Sequence, residues 1–263
     1  MRSTITPILD VTGLSMHFGG IRAVDQVDLD IKPGEIVALI GPNGAGKTTF
    51  FNCLTGIYNP TAGEIVLHGP GGKHHRLNGL KPNKVTEKGV ARTFQNIRLF
   101  QNMTVLENVM IGRHCRTRSF IAGAIFRTRH NRREERQIID HSYAILRKVG
   151  LEKSVNELAK NLSYGEQRRL EIGRALATEP FLLLLDEPAA GMNPQETREL
   201  DGLISRIRDD GLAILLIEHD MKLVMSISDR IFVMDYGKGI AQGSPAEVRA
   251  NPAVVKAYLG EEA

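Results

Sequence analysis

The sequence predicts an α/β protein: a parallel β-sheet that carries a phosphate-binding loop, an antiparallel β part before it, and a helical insertion within it. Three observations carry that prediction. Short runs rich in Ile, Leu and Val, at Ile36–Ile40, 181–185 and Ala213–Ile217, have the length of strands and no polar face, as strands covered on both sides of a parallel sheet require. From residue 181 onward such runs alternate with helix-like stretches at 195–208 and Met221–Ile227, followed by another strand-like run at 230–234; strand–helix alternation builds parallel sheets. The first apolar run also passes directly into Gly41-Pro42-Asn43-Gly44-Ala45-Gly46-Lys47-Thr48, a glycine-rich loop that opens a helix.

The remaining elements follow in chain order. Val27, Leu29 and Ile31 alternate with Asp28, Asp30 and Lys32, a period of two that suits antiparallel strands exposed on one face. Pro33-Gly34 turns the chain into the strand before the glycine-rich loop, and a helix is expected from near Gly46 toward Leu54. Residues 69–84, rich in Gly, Pro, His and Lys, read as an exposed loop. From about residue 104 to 176 the apolar spacing turns helical, with Val105, Val109, Ile139, Leu146 and Val149. The expected organisation is a single domain over 1–263, with a helical subdomain inserted at 98–176 and a catalytic α/β core, including the antiparallel part, formed by 1–97 and 177–263.

Composition narrows the function classes. With 42% hydrophobic and 24% charged residues, the 263-residue chain is an ordinary globular protein. No apolar run approaches the roughly 18 residues that cross a bilayer, and residues 1–7 lack an apolar signal core; work at a membrane would require recruitment by partners. Cys53 and Cys115 show no metal-ligand spacing and read as reduced, structural thiols. The net charge of +4 is concentrated at residues 113–136, where arginines outnumber the acids Glu134 and Glu135. Its two aromatics, Phe120 and Phe126, bound an apolar run and do not alternate with the arginines as base-stacking residues would, so the stretch reads as a solvated or membrane-facing surface and not a nucleic-acid site.

Three segments carry chemistry. In the loop and its helix, Gly41, Pro42, Asn43, Gly44, Ala45, Gly46, Lys47, Thr48 and Thr49 form a nucleotide-binding set. Glycines allow several N–H groups to converge on one anion, and the helix adds its positive dipole end. Lys47 is expected on the β- and γ-phosphates and Thr48 on Mg²⁺. Asp186 and Glu187 end a strand of four leucines, 182–185, at the sheet edge where ligands gather. Asp186 is placed to hold Mg²⁺, and Glu187 to orient the water that attacks the γ-phosphate. In Leu162-Ser163-Tyr164-Gly165-Glu166-Gln167, Ser163 and Glu166 have the spacing of a capping box, which predicts a helix start with free N–H groups.

These segments, in this order, resemble the nucleotide-binding subunit of an ATP-binding cassette (ABC) transporter, over nearly the whole chain. The resemblance implies a P-loop fold with a RecA-like core and an ATPase that binds ATP and Mg²⁺. It also implies an active unit of two such subunits, head to tail, in which Leu162 to Gln167 meet the γ-phosphate of ATP held by the other. Gln95, in Arg92-Thr93-Phe94-Gln95, matches the glutamine that touches Mg²⁺ and relays nucleotide state to the helical part. His219 matches the histidine that contacts the γ-phosphate and braces Glu187, and Phe18 the aromatic that stacks on adenine. A core aromatic is the competing reading for Phe18. The segment after Pro188 departs from the commonest pattern: Ala190-Gly191-Met192-Asn193-Pro194 stands where many members have Ser-Ala-Leu-Asp.

Arg92 to Phe100, Asn102 to Asn108, Ala189 to Pro194, and the ending Asn251-Pro252 with Tyr258-Leu259-Gly260 are similar to the ATP-binding subunits of bacterial branched-chain amino acid importers. That similarity implies a peripheral protein at the cytoplasmic face of the inner membrane. Its partners would be a second ATPase subunit, identical or different, two membrane permease subunits and, indirectly, a periplasmic substrate-binding protein. A lipopolysaccharide-export ATPase, which shares the ending, and a soluble ABC ATPase are the alternatives.

Overall fold

The computed structural model describes residues 6–113, 115 and 129–259. A six-stranded sheet is built from β3 (Ile36–Ile40), β6 (Val90–Arg92), β7 (Leu182–Asp186), β8 (Ala213–Ile217), β9 (Arg230–Asp235) and β10 (Lys238–Gly243), in the order β10-β9-β3-β8-β7-β6. Its pairs from β9 through β6 are parallel, and β10 runs antiparallel along β9. A four-stranded antiparallel sheet, ordered β2-β1-β4-β5, is made of β1 (Leu9–Phe18), β2 (Ile21–Ile31), β4 (Ala62–Gly69) and β5 (Lys73–Arg76). The helices are α1 (Lys47–Leu54), α2 (Pro82–Lys88), α3 (Val105–Arg113), α4 (Arg129–Lys148), α5 (Tyr164–Leu176), α6 (Pro194–Asp209), α7 (Met221–Ile227), α8 (Pro245–Arg249) and α9 (Pro252–Leu259).

The leucine-rich runs lack a polar face because each strand is covered twice. Along β7, Leu182 and Leu184 enter one core while Leu183 and Leu185 enter another; along β8, Leu215 and Ile217 face the first and Ile214 and Leu216 the second. The first core packs β7 and β8 against Phe50, Phe51 and Leu54 of α1 and against the antiparallel sheet. The second packs them against Leu200, Leu203, Ile204 and Ile207 of α6, and continues into Val105 and Val109 of α3, Leu146 of α4 and Leu170 and Ile172 of α5. Helices α3, α4 and α5 thus share a core with the large sheet.

Helix starts follow local chemistry. Ser163 caps α5 and Asn193 caps α6, each in a reciprocal box with the glutamate three residues on, Glu166 and Glu196; such caps satisfy donors that have no partner inside the helix. The stretch 69–84 is not the continuous loop expected from its composition. It contains β5, an edge strand whose Lys73-His74-His75-Arg76 shows no apolar alternation because it packs against no core, and the start of α2. Strand β10 escaped the sequence pattern because two of its six residues are glycines, leaving only Ile240 and Ala241 as apolar residues to pack against a core. Most of the basic stretch at 113–136, including residues 116–128, lies outside the described residues; Arg113 pairs with Glu179.

Candidate active site

Four parallel strands deliver the site from their carboxyl ends. β3 leads into Gly41 to Lys47, β6 into Thr93-Phe94-Gln95, β7 ends on Asp186 and Glu187, and β8 on Glu218 and His219. The carboxyl edge of a parallel sheet is where α/β proteins bind ligands.

The phosphate loop is shaped by glycines that no other residue could replace. Gly41 has φ 150° and Gly46 φ 97°. A Cβ on Gly41 would lie 2.0 Å from the Met234 carbonyl of β9, and one on Gly46 would lie 2.2 Å from the Ala23 carbonyl of β2. The loop is thereby wedged between the two sheets, and the Gly237 N–H fastens it further through the Ala45 carbonyl at 3.1 Å. Asn43, Gly44 and Thr48 are exposed at its mouth; Pro42 and Thr49 are half-buried and Ala45 is buried. Lys47, at the first position of α1, is 7% exposed and donates to the Gly41 and Pro42 carbonyls at 2.7 and 2.8 Å. Burial holds its pKa below the usual lysine range, opposed by the charge of Glu187. The curled lysine thus reaches back over the loop and lacks a strong anionic partner, a position from which phosphate oxygens would draw it outward.

Beside it, Glu187 is held by both oxygens: Gln95 Nε2 donates to Oε2 at 2.7 Å, and His219 Nε2 lies 2.9 Å from Oε1. Its backbone sits in the left-handed region at φ 46°, a conformation that costs a non-glycine residue about 1 kcal/mol or more and gathers at functional sites. The Glu187 N–H bonds to the Ile217 carbonyl at 2.9 Å, which fixes the strained residue to β8. Asp186 is buried, with Oδ2 2.6 Å from the Arg92 guanidinium.

The structure therefore brings Lys47, Asp186, Glu187, Gln95 and His219 to one sheet edge. Phe18, at the end of β1, is 42% exposed and packs edge-on against Tyr58 with ring centroids 5.2 Å apart; the core reading does not hold for it. The Ser163 segment forms a separate feature at the start of α5. Ser163 Oγ accepts from the Glu166 N–H at 3.3 Å and donates to Glu166 Oε2 at 2.9 Å, Gln167 Nε2 donates to the Leu162 carbonyl at 2.9 Å, and Gly165 packs against Glu196. Tyr164 projects from the first turn, 42% exposed.

Four further residues belong to this arrangement, and none was visible as functional in the sequence. Arg92 binds Asp186, Asn52 of α1 at 2.6 Å, and the faces of Phe51 and Phe94. Arg168, wholly buried, holds the backbone of Phe94 and Gln95. Glu218 accepts from the Ala189 N–H at 2.8 Å and the His219 N–H at 3.0 Å, joining the turns after Glu187 and before α7; burial pushes its pKa up, and those N–H groups hold it back. Tyr258, in α9, lies beside the Gly41 backbone at the root of the phosphate loop, and burial pushes its pKa up.

A glycine-rich loop between a parallel strand and a helix start, beside a strand-end Asp–Glu pair, defines a P-loop nucleotide-hydrolysing protein. Comparison with known proteins narrows the class. Residues 24–190 match the ABC transporter family, and residues 240–263 match the family described as branched-chain amino acid ATP-binding cassette transporter. The chain is 50% identical over 256 residues to the high-affinity branched-chain amino acid transport ATP-binding protein LivG of Escherichia coli K12, covering 97% of this chain and 98% of that one. It is equally similar to BraF of Pseudomonas aeruginosa, and 33% identical to a probable LivG of Archaeoglobus fulgidus, covering 97% of this chain and 96% of that one. Among solved structures, a nucleotide-free ATP-binding cassette from an ABC transporter superposes with a TM-score of 0.82 at 30% identity, covering 97% of this chain and all of that one. An ADP-bound cassette matches with the same TM-score at 29% identity. The chain belongs to the ABC transporter family and is one of its nucleotide-binding ATPases.

Proposed function

We propose that this chain hydrolyses ATP to drive an importer of branched-chain amino acids, with Glu187 as the residue that places the attacking water. The observation that carries the chemistry is the grip of Gln95 and His219 on the two Glu187 oxygens, at the end of the strand beside Lys47. A carboxylate fixed from both sides is oriented before the reaction, and phosphoryl transfer depends on such placement of the nucleophile. The substrate reading rests on the shared character of the relatives over nearly their whole length.

The residues divide the work. The N–H groups of Gly41 through Thr49, with Pro42 and Asn43 shaping the turn, cradle the phosphates. Lys47 leaves the Gly41 and Pro42 carbonyls for the β- and γ-phosphates, a stronger partner for a partly desolvated ammonium. Phe18 offers its exposed face to adenine. Thr48, Asp186 and Gln95 would hold Mg²⁺. The donor set suits that ion: Thr48 is exposed at the loop mouth, Asp186 keeps Oδ1 clear of the Arg92 contact, and the described residues hold no cluster of three or more His, Cys, Asp or Glu side chains. Magnesium bound with nucleotide needs only one or two carboxylates from a protein; held here by Thr48, Asp186 and Gln95, it would supply positive charge against the phosphates. For water to reach Glu187, Gln95 must release Oε2, so the same amide that holds the base ready reports the arrival of the nucleotide. His219 keeps Oε1 and faces the γ-phosphate.

Within the complete transporter, Leu162 through Gln167 would face ATP on a second ATPase subunit, the free N–H groups of α5 meeting its γ-phosphate. Two permease subunits and, through them, a periplasmic binding protein would complete it at the cytoplasmic face of the membrane. No helix among the described residues is long and apolar enough to cross a bilayer. The chain acts as one cassette, with 98–176 as its helical part and 1–97 and 177–263 as its core.

The test is uptake of labelled leucine, isoleucine and valine by cells that depend on this chain. Glu187→Gln keeps the shape and loses the base, so it binds ATP while turnover and uptake fall by about 100-fold or more. Normal turnover would remove Glu187 from this role. Loss of ATPase activity with unchanged uptake would leave the hydrolase standing and exclude the substrate.

A further inference from the structure

Arg168 is the largest fully buried side chain among the described residues, and a guanidinium is an expensive group to place there. It lies in α5, one turn beyond the Ser163 cap. Its Nη1 donates to the Phe94 carbonyl at 2.6 Å and to Glu171 Oε2 at 2.9 Å; its Nη2 donates to the Gln95 carbonyl at 2.7 Å and to the Tyr164 hydroxyl at 3.3 Å. Glu171, 2% exposed, uses its other oxygen to accept from the Arg98 N–H at 3.2 Å. The pair therefore clamps the loop 94–98, which follows β6, onto the first two turns of α5. Apolar side chains would bind loop to helix without the desolvation cost of an ion pair, and buried pairs commonly add little stability. What the pair provides instead is direction: a planar fork fixes two adjacent carbonyls relative to one helix, which apolar contact does not.

The two ends of this clamp have different tasks. The loop end carries Gln95, whose side chain grips Glu187 in this chain's own nucleotide site. The helix end carries Ser163 and the uncapped N–H groups of α5. We propose that Arg168, paired with Glu171, is a positioning residue that couples the two, so that nucleotide bound in this chain's own site sets how α5 presents its N-terminus to phosphate on the second subunit. When Gln95 leaves Glu187, its backbone moves the guanidinium, and the guanidinium moves the helix start. The inference rests on the nucleotide site proposed above.

Arg168→Lys separates coupling from charge, because an ammonium still pairs with Glu171 but cannot fork onto both carbonyls. Hydrogen exchange of the full chain, with and without Mg²⁺ and a non-hydrolysable ATP analogue, reads both ends at once. In the wild type, nucleotide should slow exchange at 41–48 and change it at 162–170 by about fivefold or more, the lower end of ordinary coupling between sites. In Arg168→Lys the protection at 41–48 should persist while the response at 162–170 vanishes. An undiminished response at 162–170 in that variant would overturn the proposal, as would its absence in the wild type; absence of protection at 41–48 would instead refute the nucleotide site itself. Should Arg168→Lys fail to fold, the double variant Arg168→Met/Glu171→Gln, which removes the fork on both carbonyls and leaves no unpaired buried charge, is read at the same segments, and a full response there overturns the coupling.

Discussion

At the scale of single residues, the site depends on groups whose chemistry burial has altered. Cys53, on α1 six residues after Lys47, is a thiol 2% exposed, and burial pushes its pKa up to about 12. Its thiolate is thereby about a thousandfold rarer at neutral pH than on an exposed cysteine, and the thiolate is the reactive form. In a Cys115→Ser background, iodoacetamide should label the native chain at least a hundredfold more slowly than the unfolded chain, to the extent that the thiolate fraction controls the rate. Equal rates would place Cys53 at the surface. The sign of the pH effect follows from the same shift. The unfolded thiol ionises at its ordinary value and the folded one only near about 12, so this contribution to stability is complete below the ordinary thiol pKa and declines as pH rises from there toward 12.

Among elements, what was legible in the sequence was what neighbours in sequence decide. The capping boxes at Ser163 and Asn193 need only a residue and its neighbour three positions on, and both form as their spacing predicts. The apolar runs of β3, β7 and β8 announce strands covered on both faces because no residue in them is polar. Arg92 stood in the same motif as Gln95, yet its pairing with Asp186 spans 94 residues, and the hold of Arg168 on Gln95 spans 73; no local pattern encodes such distances. Glu218 is another case, since it looks like a solvated acid next to His219 and proves to be 4% exposed. Its Oε1 serves Ala189, and its Oε2 serves His219 at 3.0 Å and Asp220 at 3.5 Å. Glu218→Gln retains the size but turns an N–H₂ group toward backbone donors on one side. The expected cost is about 1–3 kcal/mol, the penalty for stranding buried donors, measured as a lower urea midpoint with unchanged slope. An unchanged midpoint would show that the two turns hold each other without the carboxylate.

At the scale of the whole molecule, the question is whether the helical part melts with the sheet or apart from it. Helices α3, α4 and α5 lie between β6 and β7 in the chain, an arrangement that would permit an independently folding insertion. The packing argues otherwise. Val105, Val109, Leu146, Leu170 and Ile172 join Leu183, Leu185, Ile214 and Leu216 of the sheet in one apolar core, so unfolding the helices would expose the sheet's own face. Lys148 of α4 also pairs with Asp210 beyond the end of α6. On the opposite side Arg230 of β9 reaches Glu35 at 2.9 Å and Asp30 of β2 at 2.9 Å, fastening the antiparallel sheet to the large one. Arg230→Met leaves Glu35, whose side chain is 12% exposed, with the Lys32 N–H at 2.8 Å but no cation, and should cost about 2–3 kcal/mol; this is less than for a fully buried pair because the Asp30 side chain is 40% exposed and water screens it. Because both sheets and the helices share cores, that loss should lower the midpoint of a single transition and should not release one part early. Calorimetry and far-ultraviolet circular dichroism should then report coincident midpoints for wild type and variant alike, with the calorimetric enthalpy equal to the van't Hoff value. A helical signal lost several degrees before the main heat absorption would mean that the core joining the helices to the sheet is weaker than its burial indicates.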